Sequence, residues 1–394
     1  MRIAMIHWAY PPVIGGVETH LSLLCPALVR MGHEVSILTG SHEGEPELSE
    51  DCGVRIRRVP LMNLNQLSEK DLSKISQEIS NVISGFLDET KPDIIHTHNL
   101  HYFSEPHAHA VRSEGTRRGI PVINTAHNVW NDRLFIRLAR SVKWDHVIAV
   151  SRFIKNALIG CGQPSEDITA IHHGIDGAPF FNARPEEAHV LYPVLRSRKV
   201  VFHPARMHCD KGSDIVIQAF RLVRQQIPDA FLVMAGTTDV VDWHNSQVEE
   251  IDYMRSLLEG FALQNDSLID QYPIGRMPLM YAASSVVLYP SAFEEPFGLA
   301  TIESMAAGKP IIVTPMGGMP EIIEPGVNGL IVPSRDPVAL ADATVQLLKD
   351  PKLSEQLAAK GREMFRERYG LDRMVHDTMS VYEKMLRGRK RRLS

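Results

Sequence analysis

The chain has 394 residues, 44% of them hydrophobic and 23% charged, with a formal net charge of −5. That length exceeds one ordinary core and points to two or three domains, and the composition is that of a folded chain rather than a disordered one. A mildly acidic balance supplies no chain-wide basic field for nucleic acid, and the four cysteines, Cys25, Cys52, Cys161 and Cys209, form no C-x-x-C pair, which argues against a zinc or disulfide framework.

Taken in chain order, short apolar runs alternate with stretches of helical period. Residues 2–8, 34–40, 92–98, 121–127 and 146–151 read as strands, with helical segments between most of them, notably 17–31 and 71–89. This βαβ rhythm builds parallel sheets. It restarts at 199–206 and continues through 230–236, 267–275, 285–291, 310–315 and 329–333. Residues 174–198 carry Gly, Pro and charge without a sustained period and read as a linker. Three amphipathic helical patterns follow 333, the last opening at Leu371. The expected division is 1–185, 186–370, and a final helix with a basic tail over 371–394.

The N-terminal "MRIAMIHWAYPP" has too short an apolar run for a signal peptide, and nowhere do 18 apolar residues run together. The expectation is a cytoplasmic protein. Two segments could meet the anionic inner face of a membrane: the basic run 387–392, and residues 130–144, where Arg133, Arg137 and Arg140 flank an apolar stripe. A solvated tail and a packed helix with a wet basic edge are the plainer readings of both.

Two doubly wound sheets bind ligands at the carboxyl ends of their strands. Gly15-Gly16 follows the first strand and opens a helix, a turn that lets backbone approach an anion. Arg206 follows the strand that begins at 199, and Lys211-Gly212 opens the next helix, so two cations converge where a diphosphate could be held. No D-x-D occurs, so the usual metal-carboxylate grip on a diphosphate is not evident. In "SAFEEPFGLATIES", Glu294, Glu295 and Glu303 surround a Phe-Gly turn between apolar segments. A buried charge needs a partner or a ligand, and carboxylates accept paired hydrogen bonds from vicinal diols. His96 and His98 are read as alternating across one strand, so they are not expected to face a ligand equally.

The E-x7-E stretch from Glu295 to Glu303, with "ARMHCDKG" (205–212), the Gly15-Gly16 loop and "GGMPEII" (317–323), resembles the family-4 group of retaining glycosyltransferases with the GT-B fold. The likeness runs nearly the whole chain in the right order. It implies two Rossmann-like domains facing across a cleft, the first taking the acceptor and the second the nucleotide sugar, with the last helix crossing back to the first domain. By resemblance Arg206 and Lys211 hold the donor diphosphate, Glu303 binds the ribose and Glu295 contacts the sugar hydroxyls. Gly15, Gly16, Phe297, Gly298, Leu299 and Ala300 complete the donor site, and residues 274–280 read the base through backbone. His127 faces the donor sugar and joins Arg206, Lys211 and Glu295 as the catalytic set, while His98 and Asp176 fall to the acceptor. The chain departs from the family pattern at "HHGID", where His173 stands in an Asn position.

The implied activity is transfer of a hexose from a UDP- or GDP-sugar to a sugar, small-molecule or lipid-linked hydroxyl, with retention. No metal and no cofactor other than the donor is expected. A GT-B sugar-nucleotide 2-epimerase and a non-catalytic sugar-nucleotide-binding protein are the alternatives.

Overall fold

Two sheets organise the chain. The computed structural model describes residues 1–64, 67, 69–130, 132–236, 247–272 and 274–393. It divides into one unit of residues 1–173 with 371 onward, and a second of 174–370.

The first unit's strands are β1 (Arg2–Ile6), β2 (Glu34–Gly40), β3 (Leu48–Asp51), β4 (Val54–Val59), β5 (Ile94–His98), β6 (Val122–Ala126), β7 (His146–Ala149) and β8 (Ile168–Ala170). Their order is β3-β4-β2-β1-β5-β6-β7-β8, parallel except for the β3–β4 hairpin. Three strands are additional to the sequence reading. In β4, Val54 and Ile56 are buried between arginines, and Arg58 is buried as well. The hairpin turns at Cys52 and Gly53, with φ of 50° and 79°, the paired left-handed geometry that suits a two-residue hairpin loop. The expected helix 71–89 is broken at Ile75 into Glu69–Lys74 and Ser76–Thr90.

β5 and β6 are buried at every position, as central parallel strands covered on both faces must be. Their polar side chains therefore pair internally: Thr97 Oγ1 donates to Asn124 Oδ1 at 2.9 Å, and His96 Nε2 meets Thr125 Oγ1 at 2.7 Å. The last helix, Leu371–Leu393, packs in this unit, placing Met374, Val375 and Tyr382 in one core with Leu21, Leu24, Leu28 and Ile94. Side chains of the basic tail from 389 onward lie outside the described residues.

The second unit's strands are β9 (Lys199–His203), β10 (Ala230–Gly236), β11 (Ser267–Gln271), β12 (Val286–Tyr289), β13 (Ile311–Val313) and β14 (Leu330–Ile331). They run parallel in the order β11-β10-β9-β12-β13-β14. The chain divides between His173 and Gly174 rather than at 185. Ile175 N donates to Tyr369 O at 3.1 Å, and Phe181 packs on Phe365, so the start of the expected linker is held by the second unit. The rest of it includes the short helices Ala178–Asn182 and Pro185–Leu191. Among the described residues, no helix is long and apolar enough to cross a membrane.

Candidate active site

In the second unit three strand-end loops lock together by backbone. Gly212 has φ +75°, and a Cβ there would lie 2.2 Å from Pro290 O, so the turn after β9 sits directly on the exit of β12. Asp210 O accepts from Ala292 N at 2.8 Å, Phe293 N at 3.1 Å and Ser291 Oγ at 3.0 Å. His203 Nδ1–H donates to Leu288 O, which leaves Nε2 to accept from Ser213 Oγ at 3.0 Å. Burial holds this imidazole neutral, its pKa lowered to about 4.

On this base Lys211 Nζ donates to Glu295 Oε1. Glu295 is only 5% exposed, and Ser291 Oγ lies 3.3 Å from the same oxygen. The loop after β13 covers its backbone. Gly318 N donates to Glu295 O at 2.7 Å, and at Gly317, φ +63°, a Cβ would fall 2.1 Å from that same oxygen. Gly317 of "GGMPEII" is thus demanded by the Glu295 carbonyl, and Gly318 contributes its N–H. Gly298, φ +89°, caps the helix Leu299–Ala307, whose first N–H groups have no intrahelical acceptor.

Tyr281 Oη donates to Glu303 Oε2 at 2.7 Å, and burial raises the Glu303 pKa against the effect of that bond. The Tyr289 phenol is pushed up by burial and by Glu295, with the charge of Arg206 opposing. Arg206, Lys211, Glu295 and Glu303 therefore belong to one cluster of strand-end loops and a helix start. Phe297 is buried edge-on to Tyr369, and Glu294 is exposed. Asp176 lies in the second unit, where Oδ1 accepts from Ala178 N at 2.9 Å.

In the first unit the helix Gly16–Arg30 begins where expected. A Cβ at Gly15 would meet Glu18 Oε2 at 2.2 Å, because Glu18 folds back over the turn. His7 Nε2 lies 3.0 Å from Glu18 Oε1 and Nδ1 3.1 Å from His98 O, so both nitrogens face oxygen atoms.

Around this pair lies a group of imidazoles. His98 Nδ1 and His127 Nε2 are 3.0 Å apart, His20 Nδ1 and His173 Nδ1 3.1 Å, and the His127 and His173 rings stack at 5.3 Å. Burial keeps them neutral: the pKa of His20 falls to about 3, and those of His98, His127 and His173 go well below the usual value. His96 and His98 correct the sequence reading. Two positions apart on β5 they share a face, with rings 4.3 Å apart. His7, Glu18 and His20 were missed altogether, although His7 follows β1 and Glu18 opens a helix beside the Gly-Gly turn.

Asp132 Oδ1 caps the helix Arg133–Ser141 through Phe135 N, at 2.7 Å. Phe135 and Leu138 are buried, Ile136 is exposed, and Arg137 pairs with Glu105 at 2.8 Å.

Residues 193–364 match the family described as glycosyl transferases group 1, and residues 14–178 match glycosyltransferase family 4. The chain is a group 1 glycosyltransferase. This glycosyltransferase is 26% identical to an uncharacterised glycosyltransferase of Methanocaldococcus jannaschii, over 97% of its own length and 98% of the relative's. It is 26% identical to a glycogen synthase of Mycobacterium tuberculosis, over 98% and 96%. Among solved structures it resembles sucrose-phosphate synthase of Thermosynechococcus elongatus, with a TM-score of 0.83 at 21% identity, covering 98% of this chain and 99% of that one. HepE of Anabaena, in complex with UDP and glucose, gives a TM-score of 0.79 at 18% identity, covering 97% and 99%. The fold of the glycosyltransferase is GT-B.

Proposed function

We propose that the enzyme moves a hexose from a UDP- or GDP-sugar to an acceptor hydroxyl with retention, and that no divalent cation bridges the diphosphate. The observation that carries this reading is Lys211 held on Glu295 beside the open helix start at Gly298. Nζ keeps protons for phosphate oxygens, while Glu295 and Glu303 are acceptors for sugar and ribose hydroxyls. Arg206, Lys211 and the N–H groups of Leu299 and Ala300 meet the charge that develops on the leaving diphosphate.

The acceptor oxygen attacks the anomeric carbon on the face that the diphosphate leaves. The carbon–oxygen bond to the phosphate breaks as the new one forms, and the acceptor proton passes to the departing phosphate oxygen. No enzymic nucleophile is required. By resemblance His127 is the first unit's residue assigned to the sugar, and its Nε2 lies 3.0 Å from His98 Nδ1. HepE in complex with UDP-glucose supports the choice of donor class.

The test is a screen of UDP- and GDP-sugars, with and without acceptor hydroxyls, read as nucleoside diphosphate release and as the anomeric configuration of product by NMR. Acceptor-dependent release in excess EDTA, with the donor's configuration kept, is expected. Inverted product, or turnover restored only by magnesium or manganese, overturns the corresponding part. Release without any acceptor product favours the epimerase reading.

A further inference from the structure

The proposed transfer leaves most of the first unit's imidazole group without a task. Three of its members come from three separate elements: His20 from the helix Gly16–Arg30, His98 from the end of β5 and His127 from just beyond β6. Their rings lie 4.9 to 5.5 Å apart, and one nitrogen from each lies within 4.8 Å of the others. All three are buried, His20 being the most exposed at 7%.

The hydrogen bonding within this trio is incomplete. Either His98 Nδ1 donates to His127 Nε2 or the reverse. With both rings neutral, each choice leaves one bare lone pair and one N–H on the two remaining nitrogens. Those nitrogens, His98 Nε2 and His127 Nδ1, are buried with no partner among the described residues. An ion can take only a lone pair, so binding all three rings requires the His98–His127 hydrogen bond to open and each ring to turn a bare nitrogen to the ion. The close approach of Nδ1 and Nε2 at 3.0 Å already brings one nitrogen of each ring to the same place. His20 is already arranged as a metal-binding imidazole would be. If Nδ1–H donates to His173 Nδ1, its other nitrogen keeps a free lone pair and the ring is held in place by a neighbour.

We propose that His20, His98 and His127 form a site for a divalent transition ion of the zinc and cobalt class, with His173 orienting His20. Three imidazoles and no carboxylate suit zinc, cobalt, nickel or copper and not magnesium, calcium or manganese. Three protein ligands also leave a fourth position for water or an oxygen ligand. The ion is separate from donor diphosphate chemistry, which lies in the second unit. It competes with the sugar-side role of His127, so occupancy opposes turnover rather than supporting it.

Binding is read directly, without turnover, on the full-length chain, so failure of this site and failure of the transferase reading are distinguishable. Equilibrium dialysis against Co2+ should leave one tightly held ion per chain, with the strong visible absorption of a low-coordinate site, displaced by Zn2+ and not by Mg2+. His20→Gln should weaken retention at least about 10-fold, with the far-ultraviolet circular dichroism unchanged. Should that variant misfold, X-ray absorption of the Zn2+-loaded wild-type chain decides: two or three imidazole nitrogens at about 2.0 Å are expected. No stoichiometric Co2+ in the wild type, unchanged retention in folded His20→Gln, or a zinc shell with fewer than two imidazoles overturns the proposal.

Discussion

Lys211 and Glu295 are separated by 84 positions and form an ion pair whose side chains are 19% and 6% exposed. Removing the lysine alone strands a buried carboxylate. Lys211→Ala should therefore cost about 3 kcal/mol of stability in the second unit and lower kcat by about 100-fold or more through lost charge stabilisation. Adding Glu295→Gln should recover much of the stability and none of the activity, whereas Glu294→Ala should change neither. Denaturant unfolding alongside steady-state kinetics reads both quantities. Equal rate losses for Lys211→Ala and Glu294→Ala would undo the assignment.

Gly317 and Gly326 both have positive φ, 63° and 75°, but only Gly317 faces a backbone oxygen, that of Glu295. Alanine strains either position by about 1 to 2 kcal/mol. At 317 it must also push the turn off Glu295. Calorimetry should show nucleoside diphosphate or donor affinity falling about 10-fold or more in Gly317→Ala and holding in Gly326→Ala. The difference corresponds to about 1.4 kcal/mol.

The first unit should fail first in acid. His20 and His96 titrate near 3 when folded, and His98, His127 and His173 well below their usual value, against 6.5 when unfolded. Below 6.5 the unfolded chain takes up protons that the folded chain refuses, so stability falls with falling pH across the window from 6.5 towards 3. In the second unit His203, near 4, is the one described histidine with such a shift. Limited proteolysis read by mass spectrometry should find acid-induced cuts in 1–173 at a higher pH than in 174–370. Simultaneous cleavage would contradict this.

The C-terminal helix should separate two truncations. Loss of 371–394 strips Met374, Val375 and Tyr382 from the first core, each worth about 1.5 to 3 kcal/mol, and should unfold that unit. Loss of 387–394 should leave soluble-acceptor turnover and melting unchanged. Tyr382→Phe, which deprives His96 Nδ1 of a partner at 2.6 Å, should cost about 1 kcal/mol. Full activity after the longer deletion would defeat the assignment. Activity lost only on anionic vesicles after the shorter one would give the tail a lipid role.

Most of the strands, though not their order in the sheets, could be anticipated, because central parallel strands are continuous apolar runs. β3 and β4 escaped because "VRIRRV" buries alternate positions between arginines, and β8 because three residues carry little pattern. Arg206, Lys211, Glu295 and Glu303 were legible as charges at strand ends and helix starts. That Lys211 meets Glu295, and that Gly317 lies on its carbonyl, depends on which loops the strand order brings together. The imidazole group was illegible for the same reason. His20, His98 and His127 are far apart in the chain, each resembles an ordinary core histidine, and only the β1-β5-β6 adjacency with the first helix gathers them.

The residues that finish the first unit's core are synthesised after the whole of the second unit. A ribosome making this chain releases all of 174–370 before Leu371 appears, so the second unit can reach its native state while the first still exposes the faces of Leu21, Leu24 and Leu28 that Met374, Val375 and Tyr382 later cover. Nascent-chain folding is therefore expected to complete the second unit before the first. The segment made first is the one that waits, and any stall or premature termination before 371 leaves an incomplete amino-terminal half that chaperones and proteases can recognise by its uncovered apolar surface.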